Sequence, residues 1–104
     1  MKLKLIRWPN NQPFPSREDL EKAMIQEGLA PFRMVDPPCT YYHGRVLSRP
    51  EVCWVLEGRL LVGMEDQEIL LDIGDRIELP RGVKHWIRVI SENGAAYLVA
   101  SLPN

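Results

Sequence analysis

The run Gly74-Asp75-Arg76-Ile77-Glu78-Leu79-Pro80-Arg81-Gly82-Val83-Lys84-His85 holds the residue best placed for chemistry, His85. Glycine supplies the positive φ of a tight turn, a short strand follows, and Pro-x-Gly reverses the chain before it re-enters a sheet. An imidazole aimed by such fixed geometry can ligate a metal or move a proton near neutral pH. The chain has only two histidines. The other, His43, lies two residues before Arg45, so a regular strand places both side chains on one face. Tyr41 and Tyr42 alternate across the same strand, and one of them is expected to bring a phenolic hydroxyl to the interior. Cys53 sits among apolar neighbours, where a thiol keeps its proton and serves as packing. Cys39 and Cys53 match no C-x-x-C spacing and read as free thiols. No Ser-His-Asp set, phosphate-cradling glycine loop or paired acid–base carboxylates stand out, and Asp75 and Glu78 read as turn and surface residues.

A chain of 104 residues suits one domain, 1–104, able to bury a modest core without disulfides. Thirteen basic against fourteen acidic side chains, with no Lys/Arg cluster, argue against nucleic acid as a partner. Met1 to Trp8 alternates Lys2, Leu3, Lys4, Leu5 as an edge strand would, and no long apolar run follows it. The expectation is a cytoplasmic protein without membrane association. Asn10 to Pro15 is a proline-bearing connector. Ser16, with Asp19 three residues on, predicts a helix that ends at Gly28 and Pro31. Its stripe of Leu20, Ala23 and Met24 is expected to pack on the remainder of the fold.

From Phe32 the period changes to short apolar runs divided by turn residues. The predicted strands are Phe32 to Val35, Thr40 to Leu47, Glu51 to Leu56, Leu60 to Met64, Glu68 to Leu71, Arg76 to Leu79, His85 to Ile90 and Ala96 to Leu102. Separators such as Asp36-Pro37-Pro38 and Asp72-Ile73-Gly74 leave no room for crossover helices, so pairing is antiparallel. A jelly-roll barrel resolves the edge problem for so many short strands, giving an all-β class with one N-terminal helix. The extension covers 1–31 and the barrel 32–102. In the strand beginning at Glu51 both faces are apolar, Cys53 and Val55 on one, Val52, Trp54 and Leu56 on the other. The second face therefore needs a cover, from the N-terminal segment or from another subunit. Trp54 and Trp86 are both assigned to that outer surface.

The Gly74 to His85 run resembles the second sequence motif of the cupin family, small double-sheet barrels in which this histidine is a metal ligand inside the barrel. Of a cupin's first motif the chain keeps Glu51 and Gly58. Arg45 and Leu47 stand where the paired histidines would be, and Cys39 where the opening glycine would be. The resemblance implies the cupin fold, with a homodimer as the expected assembly. It carries Glu51 and His85 over as site residues, and a divalent cation in such barrels takes three imidazoles and one carboxylate. Arg45 and Leu47 cannot ligate, so the favoured reading has no tightly held metal. A small ligand, anionic if spare Arg45 donors hold it, would then sit in a pocket bordered by Arg45, Tyr41, Leu47 and Cys53. Arg45 is expected to pair with Glu51 in the space of the lost cation, or else to turn out to solvent. The alternatives are a metal-dependent oxygenase, isomerase or hydrolase using His43, Glu51 and His85 around Fe, Mn, Zn or Ni, and a metal-free isomerase or lyase. In the last, His85 is the catalytic acid or base, Glu51 orients it, and Arg45 stabilises an enolate.

Overall fold

Residues 3–103 are described by the computed structural model; Met1 and Lys2, where the expected edge strand begins, and Asn104 lie outside the described residues. The elements follow in the order β1 (Lys4–Ile6), α1 (Arg17–Gln26), β2 (Phe32–Asp36), β3 (Tyr41–Val46), β4 (Glu51–Glu57), β5 (Leu60–Met64), β6 (Gln67–Leu71), β7 (Arg76–Leu79), β8 (Lys84–Val89) and β9 (Ala95–Ser101). One sheet has the order β1-β7-β4-β9-β2 and the other β3-β8-β5-β6. Every pairing is antiparallel. The all-β jelly roll with one helix expected from the turn density is the architecture observed. No described helix is long and apolar enough to cross a membrane.

Alternation sorts the strand residues between two cores. Cys53, Val55, Ile77, Leu79 and Tyr97 meet Leu60, Val62, Leu71, Ile87 and Val89 between the sheets. Val52, Leu56, Ala96, Leu98 and Ala100 point away from that interior, into a second cluster under Leu20, Met24 and Leu29 of the helical segment. The cover required by the two-faced strand β4 is thus supplied by the chain itself. The helix lies on the outer face of the five-stranded sheet and does not plug an end of the barrel.

Local chemistry explains where the helix starts and stops. Ser16 is its N-cap, accepting a hydrogen bond from Asp19 N at 3.1 Å, as its sequence position predicts. At the other end Gly28 takes φ 84°, donating to the Ile25 carbonyl while Leu29 N donates to Met24 O at 3.0 Å. That pattern satisfies two terminal carbonyls and turns Leu29 into the apolar cluster.

Two polar anchors bind the N-terminal segment to the barrel. Arg76, only 6% exposed, donates to both carboxylate oxygens of Glu27 at 2.7 and 2.8 Å and stacks 4.9 Å over the Trp54 ring. Asp75, read from sequence as a turn residue, is instead buried and accepts from Arg7, Trp8 N and Asp72 N. Its position directly after Gly74 explains the difference. Gly74 has φ 88° and its missing Cβ leaves room for the Trp8 ring, so the arm lies against the turn and needs an acceptor there.

Candidate functional site

One end of the barrel is built from the starts of β2, β4 and β8 and the end of β3. On β2, register with β9 sets Phe32, Met34 and Asp36 on the inner face, opposite Val99, Tyr97 and Ala95. Phe32 is 64% exposed at the lip, Met34 is half-buried, and Asp36 is buried farther in. Glu51 opposes Leu79 across the β4–β7 pair and faces inward, half-buried. Opposite it, β8 brings in His85, only 1% exposed, between Met64 of β5 and Arg45 of β3.

His85 is positioned by the reversal at Pro80 to Gly82, whose Gly82 N donates to Leu47 O at 2.8 Å with φ 77°. The Val83 carbonyl lies 3.5 Å from Nδ1, which favours a proton on that nitrogen. Nε2 is buried and has no hydrogen-bond partner. Burial holds the imidazole below its ordinary value of 6.5, and the Arg45 charge pushes the same way, against the Val83 carbonyl and Glu51. At neutral pH the ring is uncharged, and Nε2 offers a lone pair to the interior.

A second polar group lies deeper. Tyr97 Oη donates to Asp36 Oδ2 at 2.5 Å and Tyr42 Oη to Asp36 Oδ1 at 2.9 Å. Burial and the neighbouring carboxylate raise both phenols above their ordinary value, so they remain donors. Burial likewise raises the Cys53 thiol, with Glu51 and Asp36 adding to the shift, which makes it an inert wall residue. Neither Asp36 nor Tyr97 was singled out in the sequence, because Asp36 precedes Pro37-Pro38 and reads as turn. Its parity with Phe32 and Met34 is the signal that places it inside.

Several expectations need correction, and one backbone feature accounts for most of them. Strand β3 is not regular. Its register against β8 shifts between Tyr42 and Arg45, so that His43 and Gly44, the latter at φ 68°, together oppose Trp86. His43 therefore points outward, 5.5 Å from the ring of Tyr41, on the face opposite His85. Tyr42 faces inward and Tyr41 outward, so Tyr41 does not line the interior. Arg45 is returned to the inner register opposite His85, yet its side chain is exposed at the lip, 5.8 Å over the Tyr42 ring. Among the described residues it forms no ion pair with Glu51. Leu47 packs against the inner core as a wall residue. Trp54 and Trp86 do not share a surface, since Trp54 lies beside the helix cluster and Trp86 on the outside of the other sheet.

No family model and no curated protein matches the sequence. Solved structures do. A cupin 2 domain-containing protein from Halorhodospira halophila superposes with TM-score 0.73 at 15% identity, over 97% of this chain and 76% of that one. A DUF861 family protein from Thermotoga maritima gives TM-score 0.63 at 18% identity, over 97% and 100% of the two chains. The chain has the cupin fold. A protein of unknown function from Rhizobium leguminosarum is similar at TM-score 0.66 and 22% identity, over 73% of this chain and 71% of that one.

The cupin fold raises the question of a metal, and the donor set answers it. Inside the barrel mouth the suitable donors are Glu51 and His85. The third expected donor, His43, lies across the sheet, and among the described residues no three His, Cys, Asp or Glu side chains converge. Two donors beside a guanidinium do not fit a firmly held divalent cation.

Proposed function

We propose that the cupin barrel binds a small organic anion at the end where Arg45, Glu51 and His85 meet, without a tightly held metal, and that the ligand carries a hydroxyl or amine near its carboxylate. The observation that carries this reading is the buried, unpartnered Nε2 of a neutral His85. Leaving such an acceptor unsatisfied costs about 1–3 kcal/mol, which a ligand donor recovers on binding. Arg45 stands one register position across the mouth, with its charge unneutralised by Glu51 and a planar donor fork suited to a carboxylate. Phe32, Met34, Leu47 and Met64 supply an apolar rim for the body of the ligand, and Cys53 closes the wall behind. Flexible methionines on both sides give the rim room to adapt.

Thermal-shift and calorimetric titration with mandelate, phenylacetate, lactate and propionate tests the reading. Each hydroxy acid should bind more tightly than its deoxy partner, and Arg45→Gln should weaken binding roughly tenfold while the protein stays folded. Equal binding of the paired acids, or indifference to Arg45→Gln, rejects it. So does stoichiometric metal in protein purified without chelator and lost in Glu51→Ala.

A further inference from the structure

The outer face of the four-stranded sheet is laid out in level rows set by the strand register. In one row Tyr41, Arg88, Leu61 and Leu70 lie side by side across β3, β8, β5 and β6. In the next, His43 is followed by Trp86, Gly63 and Glu68. Gly63 is part of the layout, because a Cβ there would overlap the Trp86 indole. The ring consequently lies flat along the sheet. Arg88 in turn spreads its guanidinium 4.7 Å over Tyr41 and 5.8 Å from Trp86. The result is an aromatic platform on which Tyr41, 44% exposed, meets the Trp86 ring edge-on with 71° between their planes.

Charge on this face is segregated. Lys84 and Arg88 lie on β8, in the half toward β3, whereas Glu68 of β6 and Glu65 and Asp66 of the β5–β6 turn lie in the other half, all exposed. Lys84 begins β8 and so stands level with that acidic turn. A two-fold axis running in the interface, parallel to the strands, lays the β3–β8 half of one copy over the β5–β6 half of the next. Rows then stack on themselves in reverse. Lys84 meets the acidic turn, His43 meets Glu68, and Tyr41 meets Leu70, while the platform's centre packs on itself. Sheets stacked this way have the aligned geometry of β-sandwiches.

We propose that this face binds a second copy of the chain as an isologous dimer, with basic and acidic halves exchanged across the two-fold axis. This assigns the homodimer to the sheet opposite the one that sequence analysis indicated, since the outer side of β4 is filled by α1.

The test is charge exchange, read by sedimentation of the full chain over the micromolar range. Wild type should self-associate, more weakly as salt is raised. Lys84→Glu with Arg88→Glu should weaken association roughly tenfold or more, and Glu65→Lys with Glu68→Lys by a similar factor. The two reversed proteins, mixed, should associate with each other more strongly than either does alone. Tyr41→Ala provides a charge-independent check and should also weaken the dimer. A wild type that stays monomeric overturns the proposal. So does a dimer indifferent to these changes, or a pair of reversed variants that fail to complement.

Discussion

On the outside of the five-stranded sheet, Val52, Leu98 and Ala100 lie beneath a helix held by Leu20, Met24 and an ion pair. On the outside of the four-stranded sheet, Tyr41 and Trp86 lie beneath an arginine and face solvent. The patch under the helix is aliphatic and buried, and the second face is aromatic, charged and only partly buried. Aliphatic groups have no use for water, so that face must be covered whenever the chain is folded. Tyr, Trp and Arg tolerate both wet and dry surroundings, which suits a face that is covered only some of the time.

The sharpest way to break the contrast is to remove one apolar side chain from each face and follow urea unfolding at a concentration that keeps the chain monomeric. Met24→Ala deletes a fully buried side chain and is expected to lower stability by about 2–5 kcal/mol, whereas Tyr41→Ala should change it by about 0.5 kcal/mol or less. Equal effects would mean the two faces do not differ as described. Next comes Gly63→Ala, which forces the Trp86 ring off the sheet and is expected to cost about 1–3 kcal/mol. It should also raise the exposure of the indole seen in its fluorescence. A Gly63→Ala protein with unchanged stability and emission would show that the ring does not rest there.

The smallest effect concerns the helix anchor. Its hydrogen bonds to Arg76 hold the Glu27 carboxyl below the ordinary value of 4.5, with burial opposing. A depressed carboxylate stabilises the fold above the unfolded value, and that contribution is lost as pH falls through the folded one. Glu27→Gln should cost about 1 kcal/mol at neutral pH, discounted for the exposure of Glu27, and the difference from wild type should shrink in acid. A gap that persists well below pH 4.5 would argue against the pair.

Much of the fold could be read from residue order because its determinants are local. Turn residues delimit the strands, Ser16 and Gly28 delimit the helix, and the doubly apolar β4 demands a layer on each side. The inward placement of His85, Glu51, Cys53 and Leu47 was legible, because a turn motif and fixed spacings aim these side chains. Elsewhere parity decided the outcome, and parity is not a local property. One extra residue at Gly44 exchanged the roles expected of Tyr41 and Tyr42 and sent His43 outside. Asp36 was hidden for a related reason, since a carboxylate before two prolines looks like a turn until register with Ala95 turns it inward. Asp75 required knowledge of what lies against it, the arm carrying Arg7 and Trp8.

The inserted glycine in β3 also means that the strand carries one residue more between its two inward side chains, Tyr42 and Arg45, than alternation needs. With Tyr42 and Arg45 both facing inward, excising Gly44 would restore strict alternation and leave His43 on the solvent side. A one-codon deletion would thus straighten the strand without adding an imidazole to the interior.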